Sequence, residues 1–475
     1  LNAAAPASLS VTWKARMSPD SPPSDSHADA FLAAIRHDQP LEAAQLLETH
    51  PEIARASLWT ACAAGDDAEV AARLAPDPAA AARTDAHGVA PLVYTGAAWE
   101  MSLGEPFAER LTACALRLLD AGASPDTWLQ FDSATEARIP ALYFAASRGN
   151  VPLTRLLLER GARPNDGESI YHAAEHDHRA CLELLVAHGA DPSVADATWG
   201  NTPLYFLVTS YGEDSRARVL GGMRWLLEHG ANPDVPSREV RETPLHAAAR
   251  VPGSEPLIDL LLEFGADTGR TRADGATPYA VAMRHGRQAI AAHLAAHGAP
   301  TATRPLDHFL AACLAGDEPG ARTLLATHPG LMEKFGADEH GRLASAAAEN
   351  RTDAVRLMLE LGFDPAREST WAGTPLHHAS WHGYVDITRA LLAAGAPVNA
   401  RDREFGCSPL GWACHGSQHA HGTPAHYQEI VDQLIENGAT REAAMNRWGE
   451  PPEQMATEAI ARHLAERGFG KDSAR

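Results

Sequence analysis

A tripeptide of Thr or Ser followed by Pro-Leu returns along the chain, and this recurrence restricts the possible folds more than any other property of the sequence. It stands at Thr202-Pro203-Leu204, Thr243-Pro244-Leu245, Thr374-Pro375-Leu376 and Ser408-Pro409-Leu410, with related forms at Ala90-Pro91-Leu92 and Thr277-Pro278-Tyr279. Thr243 and Thr277 are 34 residues apart, and so are Thr374 and Ser408. A second phrase, Gly-Ala, closes most units: Gly122-Ala123, Gly161-Ala162, Gly189-Ala190, Gly230-Ala231, Gly265-Ala266, Gly298-Ala299, Gly395-Ala396 and Gly438-Ala439. A leucine-rich run such as LTRLLLER or ITRALLAA precedes each.

Each unit has a direct physical reading. Thr caps a helix by accepting a backbone N–H, and Pro fits the first turn, where no donor is required. A short Ala-rich helix follows, as in LHAAAR (245–250), and its small side chains permit close packing. The leucine run makes a second helix with one apolar face. Gly supplies the left-handed residue past its end, and an Asx- and Pro-containing finger leads to the next unit. One unit cannot bury its own apolar face, so units must stack.

The period, the Thr-Pro-Leu-His start and the Gly-Ala-Asp-Pro ending resemble the ankyrin repeat, most closely at Thr243-Pro244-Leu245-His246-Ala247-Ala248 and Thr374-Pro375-Leu376-His377. The resemblance covers nearly all of residues 27–469 and suggests a bacterial-type multi-repeat protein, in line with the Ala/Arg/Gly/Pro bias of a GC-rich genome. It implies an all-α solenoid of about 12–13 helix-turn-helix units with short β-hairpin or finger loops. Thr202, Pro203, Thr243, Pro244, His246, Thr374, Pro375, His377, Ser408 and Pro409 take structural roles in it. The units are expected to start near Asp29, Leu58, Ala90, Ile139, Ser169, Thr202, Thr243, Thr277, Asp307, Leu343, Thr374 and Ser408, with a capping pair in 451–469.

The unit at 29–53 echoes the one at 307–331; both lack Thr-Pro and end in Thr-His-Pro. Two array parts are therefore expected, 27–300 and 301–469, running as one continuous solenoid. They are flanked by a disordered extension (1–26) and tail (470–475). Met17 heads a polar Pro/Ser/Asp tract and is taken as the natural start.

Composition narrows the function. The chain has 475 residues and a formal net charge of -21, which argues against a nucleic-acid partner, because neutralising phosphates takes a basic stripe. No apolar run approaches the roughly 18 residues of a membrane span. Six cysteines are too sparse for a disulfide framework, and a cytoplasmic location is expected. Hydrophobic residues are 45% of the chain but aromatics only 6%, which suits close helix packing better than a β-sandwich.

Chemistry-bearing patterns are few. His172-Ala173-Ala174-Glu175-His176 fits the H-x-x-E-H form of zinc proteases, yet it falls at a repeat start, where the alanines and the His are structural. His415, His419, His421 and His426 crowd one segment; a metal site there competes with a solvated insertion, which its glycines and proline favour. His378 and His382 flank Trp381 and are assigned to packing. Cys62, Cys114, Cys181, Cys313 and Cys414 fall at core positions, whereas Cys407 lies in a finger and is expected to be more exposed. No catalytic, metal or cofactor site is assigned.

The resemblance implies a non-catalytic scaffold that binds a partner protein through the concave surface lined by fingers and first helices. Trp128, Phe131, Trp199, Trp371 and Phe405 fall in fingers and are candidate contacts, with packing on adjacent fingers as the competing role. The acidic charge favours a partner with a basic face, and a monomer is expected. Extra residues at 95–109, 209–220 and 415–428 are expected to emerge on one edge. The alternatives are a metal-binding regulator or enzyme using the His-rich segments, and a secreted effector acting on host proteins.

Overall fold

The computed structural model describes residues 26–469 except 102–105, 131–137, 197–199, 239 and 369–372. Its described residues are helix pairs joined by fingers. First helices begin at His27, Leu58, Pro91, Ala141, Ser169, Pro203, Pro244, Pro278, Pro305, Arg342, Pro375 and Pro409, each within two residues of the start expected from the sequence. A final pair, Pro452–Met455 and Glu458–Glu466, follows the twelfth. The sole strands among the described residues, Trp128–Gln130 and Arg138–Pro140, form an antiparallel hairpin.

The local code works as the residue types require. Thr202 and Thr277 cap their helices by accepting from the backbone N–H of Tyr205 and Ala280, with Pro in the first turn of each. Gly161 and Gly395 leave the second helices at φ 92° and 80°, in the left-handed region. Leucines of the second helices, such as Leu153, Leu157, Leu257, Leu261 and Leu391, are buried, and so are the first-helix alanines Ala247, Ala248, Ala346 and Ala347. No described helix is long and apolar enough to cross a membrane.

Two compact units result, one ending at Gly275 and the other beginning at Ala276. The division falls about one repeat before residue 301. Within the second unit, the buried guanidinium of Arg284 is ion-paired with the equally buried Asp307 and lies 3.5 Å from Glu339. Asp307 also accepts from the Arg304 backbone N–H at 2.8 Å. These pairs tie the repeat at 278–296 to the degenerate unit that follows it.

The extra residues lengthen helices instead of forming loops throughout. Second helices elsewhere in the twelve pairs have 8 to 10 residues, but Phe107–Asp120 has 14, and Arg216–Glu228 and Pro424–Glu436 have 13 each. The added turn of Arg216–Glu228 buries Val219, and its Arg218 Nε donates to the Glu175 carbonyl at 2.8 Å.

Candidate functional site

Side chains at the finger bases hold the fingers in place. Asp402 lies six residues before Ser408. Its Oδ1 accepts the backbone N–H of Glu404 (2.8 Å) and Phe405 (2.6 Å). Its Oδ2 accepts the N–H of Cys407 (3.1 Å) and Trp412 Nε1–H (3.0 Å). Burial alone would raise this carboxyl, but those donors hold it below the usual carboxylate range. Asp85 likewise accepts the backbone N–H of His87 and Val89 and the Tyr94 hydroxyl.

The repeat histidines complete this scaffold. Thr243 Oγ1 and His246 Nδ1 are 2.8 Å apart, and Thr374 Oγ1 and His377 Nδ1 are 2.9 Å apart. The Thr374 backbone N–H donates to His377 Nδ1 at 3.0 Å, so that nitrogen is the acceptor and Nε2 carries the proton. Nε2–H then donates to the Cys407 carbonyl in the next finger at 3.1 Å. Burial pushes His377 down to about 4, which keeps the ring neutral.

On this frame the second unit carries a continuous set of aromatic and imidazole rings. Trp412 is packed edge-on by Phe405 (5.9 Å between centroids), His377 (5.3 Å), His378 (5.4 Å) and Trp381 (5.9 Å). Trp381 meets His415 at 5.2 Å, and Phe405 reaches Trp448 at 6.4 Å. Trp412, His377 and His378 are buried, whereas Phe405, Trp381, His415 and Trp448 are half-exposed around them. The rings are therefore fixed in the middle and accessible at the rim, as a preorganised contact patch requires.

Of the finger aromatics predicted from sequence, Phe405 belongs to this patch. Trp128 is elsewhere: it sits on the hairpin strand Trp128–Gln130 with the Arg138 guanidinium 4.1 Å over its ring. Phe131, Trp199 and Trp371 lie outside the described residues. Sequence reading missed Trp381, Trp412 and Trp448. The signal that finds two of them is the period: His378 and Trp412 are 34 residues apart, as are Trp381 and His415, and both pairs are in ring contact.

The H-x-x-E-H segment does not form a metal-ligand set. His172 Nδ1 lies 2.9 Å from Glu175 and its Nε2 3.5 Å from Glu168, while His176 Nδ1 is turned onto the His172 carbonyl. Burial opposes the charge on His172, but Glu168 and Glu175 outweigh it and push the imidazole up to about 9. The histidine-rich segment is not a loose insertion. His415 and His419 are on the helix Pro409–His419 with rings 4.5 Å apart, and His426 is on Pro424–Glu436. None of the four, counting His421, joins a three-ligand cluster among the described residues. Cys407 also departs from expectation: it is 3% exposed, held beneath Asp402, and all six thiols are free and buried.

The family model for ankyrin repeats matches residues 109–196, 215–304, 309–402 and 343–444. Among similar proteins, human ankyrin repeat and MYND domain-containing protein 1 is 27% identical over 278 residues, covering 57% of this chain and 26% of that protein. Mouse ankyrin repeat and SOCS box protein 5 is 36% identical over 104 residues, covering 22% of this chain and 28% of that protein. The chain thus spans under a third of the length of both relatives. The solved human ASB11 ankyrin repeat domain is 24% identical, covers 52% of this chain and all of its own, and has a TM-score of 0.39.

Proposed function

The chain belongs to the ankyrin-repeat family, and from that premise we propose that it is a non-catalytic scaffold that docks a partner protein on the surface formed by its fingers and first helices. Ankyrin repeats are in general protein-interaction modules. The observation that carries the proposal is the ring patch of Phe405, Trp381, His415 and Trp448 around the buried Trp412. Rings whose orientation is already paid for by packing lose little entropy on binding, so they make strong anchors. The net charge of -21 favours a partner with a basic face, chiefly by accelerating encounter. We assign the free protein as a monomer in the cytoplasm.

The test is affinity capture from native cytosol with the wild-type chain and a Trp381→Ala/Phe405→Ala double variant. A partner held by the wild type and weakened at least roughly 30-fold in the variant, at unchanged helicity, is the expected result; this corresponds to about 2 kcal/mol. A partner retained equally by both proteins, or none enriched above control, overturns the proposal.

A further inference from the structure

The first described helix hairpin holds a ligand set that belongs to neither the ring patch nor the histidine-rich segment. His27 opens the helix His27–Arg36, His50 follows the helix Pro40–Thr49, and Glu52 lies in the 3-10 turn Pro51–Arg55. The hairpin brings the start of one helix beside the end of the other. The His27 and His50 ring centroids are 3.7 Å apart, and His50 Nδ1 lies 3.3 Å from Glu52 Oε1. One ligand atom from each of the three residues lies within 4.8 Å of the others.

We propose that His27, His50 and Glu52 form a binding site for a zinc-type transition-metal ion. Two imidazole nitrogens and one carboxylate oxygen suit zinc, with bonds of about 2.0–2.2 Å and a fourth, open position for water. Tetrahedral bonds of that length place ligand atoms roughly 3.3–3.5 Å apart. His50 Nδ1 and Glu52 Oε1 already stand at that separation, so it is the exposed His27 that must turn out of its 26° stack on His50 to bring its nitrogen in. Calcium and magnesium prefer oxygen ligands and are poor fits. Bound metal would pin the start of the first helix to the turn that closes its hairpin.

The chain contains its own control. In the echoing unit, Pro305, His328 and Gly330 stand where the first unit has His27, His50 and Glu52. His328 keeps the histidine but has lost both companion ligands, and it lies 3.0 Å from the Thr327 hydroxyl instead.

The experiment is calorimetric titration of zinc chloride into the untagged full chain after chelator treatment, with His27→Ala, Glu52→Gln, His328→Ala and His419→Ala variants. The wild type should bind one zinc through this site. His27→Ala and Glu52→Gln should each weaken it at least tenfold, and the other two variants should match the wild type. Zinc should also raise the thermal midpoint of the wild type but not that of His27→Ala. Far-UV circular dichroism checks that each exposed-site variant keeps its helices. No zinc binding by the wild type, binding retained in His27→Ala, or binding lost in His419→Ala each overturns the proposal.

Discussion

Two adjacent glycines in the helix Arg216–Glu228 should respond in opposite directions to the same substitution. Helix propensity favours Ala over Gly by about 0.8–1.0 kcal/mol, so propensity alone makes both Gly221→Ala and Gly222→Ala stabilising. The surroundings differ. A Cβ on Gly221 would meet the Asp177 carboxylate at 2.4 Å, the far end of a side chain that can shift together with its exposed ion-pair partner Arg179. A Cβ on Gly222 would lie 1.9 Å from the Ala174 carbonyl oxygen and 2.7 Å from its carbon, and this is main chain. The oxygen contact is about 1.1 Å short of the 3.0 Å that real Cβ atoms keep. The two helices must move apart, an overpacking cost of about 1–3 kcal/mol. Separation also strains the Arg218 Nε to Glu175 carbonyl bond of 2.8 Å, worth about 1 kcal/mol. Set against the propensity gain, Gly222→Ala should destabilise by about 1–3 kcal/mol, while Gly221→Ala should gain about 0.5 kcal/mol. Urea unfolding followed by far-UV circular dichroism measures both midpoints. A Gly222→Ala midpoint at or above wild type, or an equal fall in Gly221→Ala, refutes the close-packing reasoning.

Other consequences follow from the buried polar groups. His172 is raised to about 9 in the folded chain against an ordinary 6.5. Its stabilisation is therefore complete below about pH 6.5 and lost as pH rises from there towards 9, on the order of 3 kcal/mol in all. Wild type should lose stability over that range more steeply than His172→Gln, and parallel slopes would contradict the ion-pair assignment. Trp412→Phe removes one donor from the buried Asp402 carboxylate and should cost about 1–3 kcal/mol. Asp402→Ala should cost more, since it also strips acceptors from the Phe405 and Cys407 amides; denaturant midpoints rank the two, and equal losses would count against Asp402 as the organiser of the finger. With all six cysteines buried, a thiol reagent should find fewer than one reactive group in the native chain and six in denaturant; rapid reaction of Cys407 would show its finger to be open.

The repeat boundaries were legible because their signals are local. A Thr cap, a Pro in the first turn and a Gly beyond the second helix each act within about four residues of where they stand. The lengthened helices were harder to see. The segment ARVLGGMRWLLE carries two glycines, which lower helix propensity, yet Gly222 is where the neighbouring helix must approach, so packing overrides propensity at that point. Likewise the H-x-x-E-H spacing is real, but Glu168, outside the pattern, joins Glu175 in holding His172. That leaves no shared ligand point with His176.

The candidate site depends on contacts between repeats, and these become legible only when the chain is folded onto its own period. Where neighbouring first helices start 34 residues apart, as at Ser169 and Pro203 or Pro375 and Pro409, a residue and the one 34 positions later occupy the same place. His378 meets Trp412 and Trp381 meets His415 on that spacing in the second unit. In the first unit His172 meets Phe206 on the same spacing, with centroids 4.9 Å apart. The 34-residue spacing thus accounts for these three ring contacts. Whether the contact is a binding surface depends on what covers it. Both His172 and Phe206 are buried, at 2% and 7% exposure, and that pair is core. Trp381 and His415 remain half-exposed beside the finger that Asp402 holds in place. The spacing therefore relates these ring pairs, and burial separates the core pair His172–Phe206 from the pair Trp381–His415, which stays accessible.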